Sequence, residues 1–264
     1  VVRAAGLVDS IAMQTATLRV LAFAASTLAA AAVANAPRPA RAAADPPTVA
    51  VLYFDYEGKD GELGLLKKGL AQMLISDLSA TTSVRVVERD RLESVLGELK
   101  LQQSAKIDQA SAVKAGKLLG ARYLVLGGYF DVMKTLRTDA RVVEVETGRV
   151  LQSFGANGKP DDFLALEQKL AGDLVKYFET SLPAAPSKTP PPSGKTPTGN
   201  ESPPPKPRPK RPPTMKASTV VEYGRALNLK DKGDKAGAKE ALAKVLKEQP
   251  DFGLAAEDLA LLTR

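Results

Sequence analysis

Thirteen of the nineteen prolines in this 264-residue chain fall between residues 183 and 214, in the run PAAPSKTPPPSGKTPTGNESPPPKPRPKRPPT. Proline has no N–H to give and holds φ near −65°, so such a run supports neither a helix interior nor a sheet ladder. No core can be buried there, and the composition favours polyproline II. At ~3.1 Å per residue the segment would reach roughly 100 Å if fully extended. The run therefore sets the organisation: a body at residues 43–182, a Pro-rich linker at 183–214 and a small module at 215–264.

Within the body, Thr48–Tyr56 is an apolar run rich in β-formers and reads as a buried strand. Leu66, Leu70, Met73, Leu74 and Leu78 then repeat at helical spacing. Val84–Glu88 reads as a second strand, and Asp90 as the cap of a helix carrying Leu92, Val95, Leu96 and Leu99. Asp108 is placed to cap a further helix that stops at Gly120. Tyr123–Met133, Leu136–Glu144 and Arg149–Phe154 follow as an antiparallel meander, with turns near Lys134 and at Gly148. After Pro160, the stripe Phe163, Leu166, Leu170, Leu174 and Phe178 marks another helix. The order βαβααβββα predicts an α/β fold, a mixed sheet with helices packed on it.

The two ends of the chain read differently. Arg19 precedes an apolar run from Val20 to Ala34, too short and too Ala-rich for a comfortable membrane span. Small-residue sites follow, the better one ending at Ala42, so a secretory signal over 1–42 (its start at Met13) is expected to be cut between Ala42 and Ala43. An uncleaved anchor helix is the alternative. Export places the mature chain in the periplasm if the source is Gram-negative. At the other end, Ala217–Lys230 and Asp234–Glu248 form a helical hairpin across Gly233, and Pro250 opens a third helix.

Four blocks carry a family resemblance: TVAVLYFDY, GLAQMLISDLSATTSVRVVERDRLESVLGELKLQQSAKID, AGKLLGARYLVLGGYF and ARVVEVETGRVLQSFGANG. Together they resemble the family of the curli assembly and transport component CsgG, with relatives in FlgO and the amino end of TolB-like proteins, over about residues 48–180. The resemblance implies a fold like the CsgG periplasmic domain. CsgG proper forms an outer-membrane pore through long hairpins, whereas the turns here near Lys134 and Gly148 span only a few residues, and no lipobox Cys is present. The C-terminal hairpin resembles one tetratricopeptide repeat, through Gly233, Ala238, Leu242, Val245 and Pro250. That likeness implies a peptide-facing surface formed by Val220, Tyr223, Leu227 and Lys230; the plainer possibility is that the first three are core. A single repeat cannot bury its own apolar face, so it should dock on something.

The chemistry open to this chain is narrow. It has no His and no Cys, which removes the commonest general base, the commonest zinc ligand and any thiolate nucleophile. Gly127 and Gly128 have strand on both sides, whereas a phosphate loop places glycines between a strand and a helix N-terminus, so close packing is their expected role. In the acidic loop Asp55, Glu57, Asp60 and Glu62, Lys59 stands where a calcium loop needs its third oxygen ligand. The Arg89-Asp90-Arg91 triplet reads as an ion-paired helix start. No catalytic residue, cofactor or metal site is therefore expected.

Of the net charge of +7, residues 1–42 supply +3 and residues 183–214 supply +5, which leaves the folded parts near neutral and without a nucleic-acid face. Lys206, Arg208, Lys210 and Arg211 offer an electrostatic tether to an anionic envelope polymer or lipid. The expected function is non-catalytic: interaction with envelope protein partners or with further copies of itself, in secretion or surface assembly. An outer-membrane pore subunit and a small-ligand-binding domain are the alternatives.

Overall fold

A computed structural model describes residues 45–101, 107–182 and 209–264. Ala42, Ala43, Lys206 and Arg208 lie outside the described residues, as does most of the Pro-rich segment. The strands are β1 (Thr48–Val51), β2 (Asp55–Tyr56), β3 (Arg85–Val86), β4 (Tyr123–Val132), β5 (Thr135–Glu144) and β6 (Val150–Gly158). The helices are α1 (Leu66–Ser79), α2 (Arg89–Glu98), α3 (Gln109–Leu119), α4 (Phe163–Thr180), α5 (Ala217–Asp231), α6 (Lys235–Glu248) and α7 (Gly253–Thr263). Short 3-10 turns, Leu63–Leu65 and Pro160–Asp162, lead into α1 and α4. Among the described residues no helix is long and apolar enough to cross a membrane.

The strands make one mixed sheet in the order β3-β1-β4-β5-β6, with β2 also paired to β4. β1 runs parallel to β3 and β4, while β4, β5 and β6 form the expected antiparallel meander. Asp108 caps α3 by accepting from the Ser111 N–H at 3.0 Å, and Gly120 ends the helix in the left-handed region, φ +66°.

The strand expected over Thr48–Tyr56 is interrupted: residues 52–54 separate β1 from β2. Gly127 accounts for the break. A Cβ there would lie 2.0 Å from the Asp139 carbonyl oxygen and 2.8 Å from the Phe54 ring. Phe54 thus occupies the space a side chain at 127 would need, and the glycine serves close packing, not phosphate binding.

Period-two alternation then separates the two faces of the meander. Val125, Tyr129, Leu136, Thr138, Ala140, Val142 and Ala156 are buried on one face. α4 covers this face, where Phe154 meets Tyr177 edge-on at a centroid distance of 5.7 Å. On the opposite face α3 covers Leu124 and Val145 near Gly116. Farther along, Arg137, Arg141, Ser153, Gly155 and Asn157 are exposed, so that part of the sheet faces solvent.

The C-terminal helices do not stand apart at the end of an arm. α5 lies on α1, with α6 and α7 packed beyond it, and the described residues form one compact unit. The crossing is backbone to backbone. A Cβ on Gly224 would sit 2.1 Å from the Leu65 carbonyl oxygen, and one on Gly69 would sit 2.8 Å from that of Val220. A mid-helix glycine costs about 1 kcal/mol relative to alanine, and here the close approach explains both. The docking required of a lone helical hairpin is therefore met within the same chain.

Candidate interaction surfaces

Two clusters of buried charge hold the C-terminal helices in place. In the first, the Asp231 carboxylate at the end of α5 accepts from both terminal guanidinium nitrogens of Arg89, at 2.9 Å each, and from the Lys68 ammonium at 2.6 Å. Lys68 also reaches Glu93 at 3.2 Å, and Glu93 accepts a short hydrogen bond from the Tyr53 hydroxyl. Burial alone would raise the Asp231 pKa, but the bonds from Arg89 and Lys68 outweigh it and hold the carboxyl below its ordinary value. Burial first, and then the neighbouring acids, push the Tyr53 phenol up, so it stays a neutral donor.

The second cluster lies at the C-terminal end of the Pro-rich segment, around Arg211. Arg211 donates to Glu167 of α4 at 2.7 Å and to the Met73 carbonyl of α1 at 3.1 Å, and pairs with Asp77 at 2.9 Å. Glu167 is fully buried. Burial pushes its carboxyl up to about 8, Arg211 acts against that, and Asp77 beside it reinforces the rise. Arg211 thus lies between two carboxyl groups, those of Glu167 and Asp77.

These groups join α5 and the segment around Arg211 to α1, α2 and α4. Composition and motif reading did not single out Asp77, Glu167 or Asp231. Their signal lay in the helix period. Glu167 falls on the Phe163-Leu166-Leu170-Leu174 stripe, Asp77 on the Leu70-Met73-Leu74 stripe, and Asp231 one turn beyond Tyr223 and Leu227. A charge on an apolar stripe demands a buried partner.

The residues expected to face a peptide are placed otherwise. Val220, Tyr223 and Leu227 are buried at 0–1% exposure. Val220 packs on Gly69, and the Tyr223 ring meets Phe252 edge-on while its hydroxyl donates to Asp258 at 2.7 Å. Lys230 is partly exposed and pairs with Asp258 at 3.2 Å. The first three are core because α5 spends its apolar face on α1. Arg211, expected among the free linker cations, is likewise buried in ion pairs, while Lys210 is exposed. Arg89 pairs with Asp90 as the triplet implied, but its stronger, bidentate partner is Asp231.

What remains open is the uncovered part of the sheet. It runs from Leu126 and Phe130 on β4, through Arg137, Asp139 and Arg141 on β5, to β6. Arg137 and Asp139 pair across this surface at 3.1 Å. A cavity of about 230 Å³ opens beside it, lined in part by Asp55, Asp108, Gln109, Gly127 and Arg141. Asp55, Glu57, Asp60 and Glu62 do not converge on one point: Glu62 reaches Arg225 at 3.3 Å, while Asp55 accepts from the Ile107 N–H at 3.4 Å. Among the described residues no group of acidic side chains could hold a metal ion.

Solved structures with similar chain traces include the LpoB C-terminal domain from Salmonella enterica, at 15% identity and TM-score 0.38, covering 46% of this chain and 87% of that one. Lipoprotein GNA1162 from Neisseria meningitidis is similar at 17% identity and TM-score 0.39, covering 52% of this chain and 100% of that one. The PelC dodecamer from Paraburkholderia phytofirmans matches at 13% identity and TM-score 0.35, covering 53% and 91%. A curated relative, "Putative adenylate cyclase 3" of Rhizobium meliloti (strain 1021), is 24% identical over 138 residues; the chain spans 22% of its length. The model of the family described as curli production assembly/transport component CsgG matches residues 38–134, from ahead of β1 to the β4–β5 turn, and over that segment this chain is similar to that family.

Proposed function

We propose that this protein is an exported, non-catalytic component of a bacterial cell envelope that works by binding other proteins in an assembly, of the kind that serves secretion or surface structures. The observation that carries this reading is the CsgG-like segment at 38–134, whose family is described by assembly and transport. The disposition of charge agrees with it. Lys68, Arg89, Glu93, Asp231, Asp77, Glu167 and Arg211 are all engaged in joining helices to the body, and the open sheet face offers a surface of mixed charge. A face of that kind suits a protein partner better than a small substrate. The cyclase name is that of a much longer protein, of which this chain spans 22%.

The test is photo-cross-linking in intact cells of the source organism. A photoreactive residue is placed at Arg137 or Asn157 on the open face, and at Glu240 on the exposed side of α6 as a control. The reading predicts discrete cross-linked protein species from the first two positions, recovered in the envelope fraction, and none from the control. Recovery of the protein in the cytoplasm, or no cross-link from either open-face position, would contradict it.

A further inference from the structure

The edge of the open face has its own chemistry. Among the described residues β6 is the last strand of the sheet and pairs only with β5. The other outer strand, β3, has two residues, whereas β6 has nine, Val150-Leu-Gln-Ser-Phe-Gly-Ala-Asn-Gly158. Natural sheets blunt a long edge with lysine, proline or an inward charge, because its free N–H and C=O groups are a template for another strand. β6 carries none of these, and its one irregularity, a register shift against β5 at Val142/Val143, lies outside Ser153–Asn157.

Its outward groups follow from the register. The Met133–Lys134 turn closes on the Val132–Thr135 pair, so Thr135, Arg137, Asp139 and Arg141 aim their backbone groups at β4. The residues between them aim at β6, where Gln152, Phe154 and Ala156 answer. Ser153, Gly155 and Asn157 therefore present their N–H and C=O groups to the outside. Their side chains are small or absent, and all three are exposed. The Gln152 side-chain amide donates to the Ser153 carbonyl at 3.3 Å, a local bond that a neighbouring strand can replace.

Charge selects the occupant. Arg149 and Lys159 bracket the neutral strand, both are exposed, and neither has an ion-pair partner among the described residues. They stand about 33 Å apart along an extended chain. A second copy is a poor fit: the antiparallel register that uses the whole of β6 sets Arg149 of each copy opposite Lys159 of the other, and like charges in cross-strand positions repel.

We propose that β6 is the acceptor edge for one extended segment of a partner protein, uncharged along its centre and acidic at both ends. This rests on the assembly reading above and says where and how the partner binds. The segment adds as a further strand: its backbone bonds to Ser153, Gly155 and Asn157 supply the affinity, and its terminal acids meet Arg149 and Lys159.

The probe is a synthetic peptide of about eleven residues, alternating Thr and Val between terminal Glu residues, long enough to cover the edge. It is titrated into the full 15N-labelled chain. The proposal expects amide shifts centred on Ser153, Gly155 and Asn157, and binding about fivefold weaker when Lys replaces the terminal Glu residues. Ser153→Pro removes one outward N–H and no bond to β5, so the protein should keep its melting temperature and lose at least about tenfold in peptide affinity. Asn157→Pro is the second such variant should Ser153→Pro fail to fold. Equal binding of the Glu- and Lys-ended peptides, shifts elsewhere, no binding, or affinity untouched by the proline variant would each overturn the proposal. So would a wild-type dimer in sedimentation that the proline variant abolishes, because the edge would then belong to a second copy. Any of these results, obtained alongside cross-links from Arg137 in cells, would leave the assembly reading standing while removing β6 as its acceptor.

Discussion

Single atoms decide three features of this molecule. At Gly127 the missing Cβ is the reason Phe54 and the Asp139 carbonyl can come so close. Gly127→Val should destabilise the fold by about 3 kcal/mol or more in chemical denaturation, and an unchanged unfolding midpoint would refute the packing account. At Asp231, one carboxylate answers two buried cations. Asp231→Ala leaves Lys68 and Arg89 without it and should cost about 3–5 kcal/mol, read the same way. At Glu167 the effect is pH dependence. The unfolded chain releases this proton near 4.5 and the folded protein only near about 8, so the folded state binds the extra proton between those values. Stability from this group therefore falls as pH rises through that window and levels off above it. Glu167→Gln should remove that slope from a denaturation series at pH 5 to 8.5. An unaltered slope would mean that Glu167 is already ionised beside Arg211 and Asp77.

At the scale of elements, local signals were read well and long-range ones less so. Asp108 and Gly120 bracket α3 by caps that involve only near neighbours, and Gly148 turns the meander with φ +69°. Such signals are written in consecutive residues, as is the helical period of α4. The interruption between β1 and β2 was not visible, because its cause, Gly127, lies more than seventy residues downstream in sequence. The fate of α5 was hidden for the same reason. Its apolar stripe shows that one face must be buried, and the partner becomes evident only when Gly224 meets Gly69 in space. Val220, Tyr223 and Leu227, which suggested a peptide groove by repeat analogy, are the residues that α1 consumes. Gly224→Leu would force the two backbones apart and should release α5 from α1. Amide hydrogen exchange across Ala217–Asp231 should then accelerate by about tenfold or more while β4 and β5 stay protected. Equal protection of α5 in the variant and the parent would contradict the crossing.

For the molecule as a whole, the Pro-rich segment suggested a strap carrying a distant module, and the described residues show the far end returned to the body. Arg211 enters between α1 and α4, Asp231 is clasped by α1 and α2, and the helices between them complete one compact unit with the sheet. That arrangement leaves the open sheet face and its β6 edge to meet partners. α5–α7 hold to the body through their own contacts and not merely through the connecting chain. An engineered protease site between Leu182 and Pro209 tests it directly. After cleavage the two pieces should co-elute in gel filtration at the position of the uncut protein, and should separate when Asp231→Ala and Gly224→Leu are combined. Separation of the unmutated pieces on cutting would contradict it.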